Sequence, residues 1–385
     1  MIKRWMEPVL LRAAEHYPVV CLTGPRQSGK TTLVRGLWPD KRYVSLEDPD
    51  LHEFARTDPR GFLELGGQQG MILDEAQRLP TLFNYLQGYA DRASPGGYIL
   101  SGSNNFLLMQ GISQSLAGRA AILHLLPLSG AELGAGSLGA DWETCAWTGF
   151  YPRVRATRLP ADMFSRDYLA TYVERDVRLV RNIQDLSAFR TFLRLCAGRA
   201  AQLLNIQSLA QDAGLAVNTV KEWLTLLEAA FLVFMVRPWN ESFNKRLVKS
   251  PKLYWLDTSL LCRLLDIRAP EDLAFHPLRG AVFENLVAAE RWKAAQHRGE
   301  DPRLGFWRDN HGIEVDMVEE RNGFTSLYEA KAGKTIAGDM FAGLDAVGSL
   351  AGIPPDRRIL VYGGEEGQVR SNVRVMSWKD ALALD

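Results

Sequence analysis

Cysteine is scarce in this chain: Cys21, Cys145, Cys196 and Cys262 are scattered through 385 residues, with no CxxC pair among them. That speaks against a disulfide framework and against a thiolate zinc site, and it fits a reduced cytoplasm. Long apolar runs are missing too. None approaches the ~18 residues needed to cross a bilayer, and the opening Met1-Ile2-Lys3-Arg4-Trp5-Met6-Glu7-Pro8 lacks the apolar core of a signal peptide. The expectation is a cytoplasmic protein with no membrane partner. Net charge is the third absence. Its 45 basic and 45 acidic residues cancel, which excludes a globally basic nucleic-acid binder and leaves only local patches to consider. What the chain has is length and apolar matter. At 385 residues and 46% hydrophobic, it can bury a sizeable core and should divide into two or three domains.

The most informative stretch is Gly24-Pro25-Arg26-Gln27-Ser28-Gly29-Lys30-Thr31. It satisfies the phosphate-binding pattern G-x-x-x-x-G-K-[ST] at every fixed position. Upstream, Pro18 to Thr23 reads as a short buried parallel strand, and downstream Thr32-Leu33-Val34-Arg35 opens a helical pattern. The glycines let backbone N–H groups curl around phosphate oxygens, and the helix N-terminus adds a favourable dipole. Lys30 would reach the β- and γ-phosphates and Thr31 would hold Mg²⁺. ATP and Mg²⁺ are the expected cofactors.

The rest of the first 150 residues supplies partners for that loop. Residues 2–16 carry apolar positions at helical spacing and give a lead-in helix; Tyr43 to Glu47 reads as a second strand. Gly70-Met71-Ile72-Leu73-Asp74-Glu75 is an apolar strand closed by two acids. In a phosphate-loop ATPase that places Asp74 in the Mg²⁺ shell and leaves Glu75 to orient the attacking water. The strand Tyr98 to Asn104 ends in small polar residues, where Asn104 or Ser103 could sense the γ-phosphate or the water. Arg119 precedes a strand from Ala121 to Leu125. It is either an arginine contacting nucleotide in this or a neighbouring subunit, or a solvated surface residue.

This order of strand, phosphate loop, helix, acid-pair strand and polar-ended strand resembles the AAA-type ATPases. The resemblance implies an α/β domain over residues 1–150 with nucleotide at the carboxyl ends of parallel strands. Gly149-Phe150-Tyr151-Pro152-Arg153 also looks like the turn that opens the helical lid of such proteins. By that resemblance Pro152 would lie near adenine and Arg153 would face phosphate, joining Gly24 to Thr32 in the nucleotide site.

Residues 151–265 read as lid helices followed by a winged helix. Ile206 to Gly214 and Ala216 to Leu227 are two helices with a turn between them; Leu209, Ala210, Val220, Trp223 and Leu227 would be buried. Two strands follow, Phe231 to Val236 and Leu253 to Leu256, joined by a loop carrying Lys245, Arg246, Lys249 and Lys252. Asn218, Thr219 and Lys221 would face a DNA duplex, with the basic wing on phosphates.

Residues 266–385 combine an acid on a helix, Glu284, an Asp on one strand, Asp316, and Glu329-Ala330-Lys331 on the next. On a strand, positions i and i+2 share a face, so Glu329 and Lys331 point the same way and a neighbouring strand can set Asp316 beside them. The arrangement resembles the restriction-endonuclease-like nucleases. That implies an α/β module in which Asp316, Glu329 and Glu284 bind Mg²⁺ while Lys331 polarises water. The whole combination resembles a widespread family of prokaryotic ATPases whose C-terminal region was long of unknown function. Two functions from different classes follow: an ATP-hydrolysing DNA-processing enzyme, or a nucleotide-switched regulatory or defence ATPase that binds a protein partner and carries an inert nuclease fold. An oligomeric ring or dimer stays open.

Overall fold

The computed structural model describes residues 2–103, 115–157, 159–177, 185–239 and 249–384. Asn104, Lys245 and Arg246, singled out above, lie outside the described residues. The chain divides into two compact units, the first made of Met1–Leu128 with Ala229–Phe231 and Ala295–Glu300, the second of Ser129–Glu228, Leu232–Ala294 and Asp301–Asp385. No helix among the described residues is long and apolar enough to cross a membrane. The four cysteines are buried and unpaired.

The first unit is built on five strands: β1 (Val19–Thr23), β2 (Arg42–Ser45), β3 (Met71–Asp74), β4 (Tyr98–Gly102) and β5 (Ala120–His124). They form one sheet in the order β2-β3-β4-β1-β5, and every pairing is parallel. Because side chains alternate along a strand, the strands feed two cores. Val19, Cys21, Met71, Leu73, Tyr98 and Leu100 meet Phe62, Leu82 and Phe83 on one face. Val20, Leu22, Ile72 and Ile99 meet Met6, Leu10, Leu33 and Val34 on the other. Those last four belong to α1 (Met6–His16) and α2 (Lys30–Leu37). A strand buried on both faces has no polar stripe, which is why the apolar runs at 19–23, 71–73 and 98–100 read so plainly as parallel strands.

The second unit holds a nine-stranded sheet. Its strands are β6 (Gln202–Leu203), β7 (Val233–Pro238), β8 (Lys252–Trp255), β9 (Leu304–Arg308), β10 (Glu314–Arg321), β11 (Phe324–Lys331), β12 (Arg358–Tyr362), β13 (Gln368–Arg370) and β14 (Val373–Ser377). Their order is β13-β14-β12-β11-β10-β9-β7-β8-β6. A helix pair, α3 (Ile206–Ala213) and α4 (Val217–Ala229), precedes β7, and α5 (Arg279–His297) precedes β9. Asn205 caps α3 by accepting from the N–H groups of Gln207 and Ser208, and Gly214, at φ +65°, ends it in the left-handed conformation that favours glycine. Leu209, Ala210, Val220, Trp223 and Leu227 are all buried; Trp223 packs edge-on against Phe189 and Phe192 at 5.2 Å each. The boundary expected at residue 265 falls between β8 and β9. Across it, β7 pairs in parallel with β9, Arg237 opposite Gly305 and Pro238 opposite Phe306, and one sheet runs through both segments.

Candidate active site

The phosphate loop follows β1, between the flanking strands β4 and β5, and three positive-φ residues give it shape. Gly24 has φ +150°, and a Cβ there would lie 2.1 Å from the carbonyl oxygen of Leu125, so only glycine lets the loop leave the strand this close to its neighbour. Gly29, at φ +96°, caps α2. Gln27 also takes a positive φ, 62°, a conformation that costs a non-glycine residue energy and tends to persist where function needs it. From below, the buried guanidinium of Arg4 donates to the carbonyl oxygens of Ser28 and Leu126, both at 2.8 Å, and lies 3.4 Å from Nε2 of His297.

Lys30 is buried, and its ammonium donates to the carbonyls of Gly24 (2.9 Å) and Pro25 (2.8 Å) inside the loop. Burial pushes its pKa down to about 8, against the pull of Glu75 and Asp74. The Thr31 hydroxyl donates to Oδ2 of Asp74 at 2.8 Å, and the Tyr43 hydroxyl donates to the same oxygen at 2.7 Å. Thr31 and Asp74, the two residues expected to hold Mg²⁺, are therefore already in contact, and a hydroxyl beside a carboxylate is oxygen chemistry that suits that ion. An open cleft of 610 Å³ begins beside Thr31 and is lined by Thr32, Arg35, Trp38 and Tyr43.

Glu75 stands just past β3 with φ +50°. Its carboxylate accepts from the Ser103 hydroxyl, at 3.1 and 3.3 Å to its two oxygens, and from the side-chain amide of Gln77. Of the two sensor candidates, Ser103 is thus the one seen touching Glu75, while Asn104 is outside the described residues. Arg119 stands away from the loop. It immediately precedes β5, whose register sets Ala120 beside Val19 and His124 beside Thr23, so Arg119 lies at the opposite end of the strands from the loop. There it pairs with Asp91 at 2.5 Å. Parallel strands carry their nucleotide at the carboxyl end, and an arginine at the amino end cannot reach nucleotide bound to its own loop. Pro152 and Arg153 open a short helix, Pro152–Ala156, in the second unit.

The C-terminal candidates do assemble, with an unexpected member. Antiparallel pairing of Met317 with Tyr328 brings Asp316 and Glu329, one residue further along each strand, side by side. The backbone N–H of Ala330 donates to Oδ2 of Asp316 at 2.9 Å, and Lys331 pairs with Glu329 at 2.5 Å. Burial, then the charge of Asp316, pushes Glu329 up to about 8. Glu284, on α5, is pushed up to about 7 by the same two causes. Into this cluster comes Lys252, expected on a solvated basic wing. It is in fact the first residue of β8 and almost fully buried, with its ammonium 2.9 Å from Glu284, 2.8 Å from Glu314 and 3.7 Å from Asp316. The Tyr254 hydroxyl, two residues on and on the same strand face, donates to Glu284 at 2.6 Å. Burial opposes the charge of Lys252, but Tyr254, Glu284, Asp316 and Glu314 hold its pKa well above the usual lysine value.

That arrangement does not fit the metal expected of Glu284, Asp316 and Glu329. Among the described residues no group of three or more His, Cys, Asp or Glu side chains is arranged to hold a metal ion, and a cation already stands against two of these three acids. Sequence reasoning missed Lys252 here because a lysine next to a proline in a basic loop looks solvated. Glu314 could have been found, since Glu-x-Asp at 314–316 puts both acids on one strand face. Arg4 and Tyr43 carried no signal, because both act across the fold.

A phosphate loop at the carboxyl end of a parallel sheet, with an acid pair on a neighbouring strand, defines a phosphate-loop ATPase domain. Residues 16–134 match the family model described as AAA domain, which makes it one of AAA type. Residues 139–271 and 279–380 match two domains of unknown function, DUF8612 and DUF4143. Over 330 residues the chain is 32% identical to the uncharacterized protein Rv2008c of Mycobacterium tuberculosis, spanning 85% of this chain and 73% of that protein. The uncharacterized protein Mb2031c of Mycobacterium bovis matches to the same extent. The chain belongs to the family of these two mycobacterial proteins. A solved Walker-type ATPase of Pyrococcus abyssi shares 16% identity over 69% of this chain and 96% of its own, with a TM-score of 0.42, too low to carry an argument.

Proposed function

We propose that this protein hydrolyses ATP with Mg²⁺ at the loop Gly24–Thr31. The observation that carries the reading is the contact of the Thr31 hydroxyl with Asp74 at 2.8 Å, beside a lysine whose ammonium donates to loop carbonyls. Lys30 exchanges those carbonyls for phosphate oxygens, a stronger, charge-assisted pairing. Thr31 and Asp74 hold Mg²⁺, which when bound neutralises charge on the phosphates. Glu75, steadied by Ser103, orients the attacking water. Isothermal calorimetry tests this directly: native protein takes up ATP in the presence of Mg²⁺, and Lys30→Ala does not. A folded native sample that gives no heat with millimolar ATP ends the reading.

A second reading concerns what the ATPase serves. The pair α3 and α4, with the antiparallel strands β7 and β8 after it, has the order of a winged helix, and Asn218 and Lys221 on α4 are exposed. DNA held on that face is the reading this favours. The rival is a protein partner switched by nucleotide, within a monomer or a homo-oligomer. Labelled duplex, forked and single-stranded DNA titrated at low salt separates them, since the rival binds none.

A further inference from the structure

The acid cluster of the C-terminal module raises a question that stands apart from the ATPase. Glu284, Glu314 and Asp316 gather negative charge around the buried Lys252, with Glu314 at the more exposed side, and such a cluster needs a cation. In a metal-dependent nuclease that cation is a divalent ion. Here a side chain of the chain itself stands in the position. Lys252 has 2% of its side chain exposed, and its ammonium lies within 4 Å of all three acids. Other groups engage the three acids as well. Oε1 of Glu284 also accepts from Tyr254, Oε2 of Glu314 faces Arg308 at 3.2 Å, and Oδ2 of Asp316 is taken by the backbone of Ala330. Glu329, outside the reach of Lys252, is paired with Lys331 through Oε1, and its buried Oε2 has no hydrogen-bond partner among the described residues.

We propose that the ammonium of Lys252 is the permanent counter-ion of Glu284, Glu314 and Asp316, and that it closes this cluster to divalent metal. Three features of the geometry support it. Lys252 is fixed by β8, whose pairing to β7 runs from Val233–Trp255 to Val236–Lys252, so its backbone is held within the sheet. Its ammonium lies 5.4 Å from the centroid of the Phe306 ring, and this leaves an apolar wall where a hydrated Mg²⁺ would keep its waters. Tyr254, on the same strand face, spends its proton on Glu284, so the acid is oriented towards the strand. The consequence is a module that keeps the carboxylates of a nuclease while its cation is covalently part of the chain. It serves as a cross-link between β8, α5 and β10, and performs no metal-dependent cleavage.

The test is Mn²⁺ binding to the full-length protein without nucleotide, read by the loss of the free-ion paramagnetic resonance signal. Native protein is expected to bind no Mn²⁺ at hundreds of micromolar. Lys252→Ala is expected to gain one ion per chain, and the added change Asp316→Asn to remove it again. One ion on the native chain that is lost in Asp316→Asn overturns the proposal, as does a folded Lys252→Ala that still binds none. If Lys252→Ala does not fold, Lys252→Met keeps the length of the side chain and all three acids. A folded Lys252→Met that stays ion-free in Mn²⁺ likewise counts against the lysine as the excluding group; one that binds an ion supports it.

Discussion

In the proposed reaction, Glu75 is the residue on which turnover depends. It sits in a left-handed conformation past the end of β3, and Ser103 and Gln77 both donate to its carboxylate, so its direction is set before nucleotide arrives. Glu75→Gln keeps the size and loses the acid. ATP is expected to bind with near-native affinity while steady-state phosphate release falls ~10²-fold or more, the usual share of a positioned base. Equal turnover in that variant would move the role elsewhere. Arg4 acts at the same site without touching nucleotide, as a positioning residue. Its guanidinium holds the carbonyls of Ser28 and Leu126, and Arg4→Met leaves two buried acceptors unpaired at a cost of about 1–3 kcal/mol each. The first unit should melt several degrees lower by circular dichroism, and KM for ATP should rise more than kcat falls. A purely structural arginine would lower the melting temperature and leave the KM of the folded fraction unchanged.

Elements show most plainly what could be read from residue order alone. β1, β3 and β4 were legible because strands buried on both faces are continuous apolar runs, and the loop because its fixed residues each answer a steric or electrostatic demand. Gly24 shows how strict that demand is: Gly24→Ala would set a methyl 2.1 Å from the Leu125 carbonyl oxygen, and one of the two strands must shift. Calorimetry should find ATP affinity reduced at least as far as in Lys30→Ala, where the loop keeps its path. The helix pair was equally readable, since Leu209, Val220, Trp223 and Leu227 repeat at helical spacing. Two things were not readable. Arg119 looked like a candidate for nucleotide because sequence sets it just before a strand without showing that this strand runs parallel to β1, which is what puts it at the end away from the loop. Lys252 looked solvated because burial of a lysine depends on acids that arrive from Glu284 and Glu314, dozens of residues later. Local spacing fixes periodicity and loop chemistry; partners brought by the fold decide the rest.

For the whole molecule the governing quantity is charge. With 45 basic and 45 acidic residues the chain has no long-range attraction for a polyanion, so any hold on DNA must be local. The exposed face of α4 offers Asn218 and Lys221 beside the acidic Glu222, and Lys252 is withdrawn into the second unit. If DNA is held on α4, few phosphates are neutralised by the described residues, and binding should weaken only gently with salt. Each phosphate contact contributes about −0.9 to the slope of log affinity against log salt, so Lys221→Ala should reduce that slope by about 1 and weaken duplexes of different sequence alike. Fluorescence anisotropy on two unrelated duplexes, from about 50 to 200 mM salt, reads both effects at once. A slope that Lys221→Ala leaves untouched would mean that α4 is not the surface on DNA, and the exposed helix would then be one that meets protein.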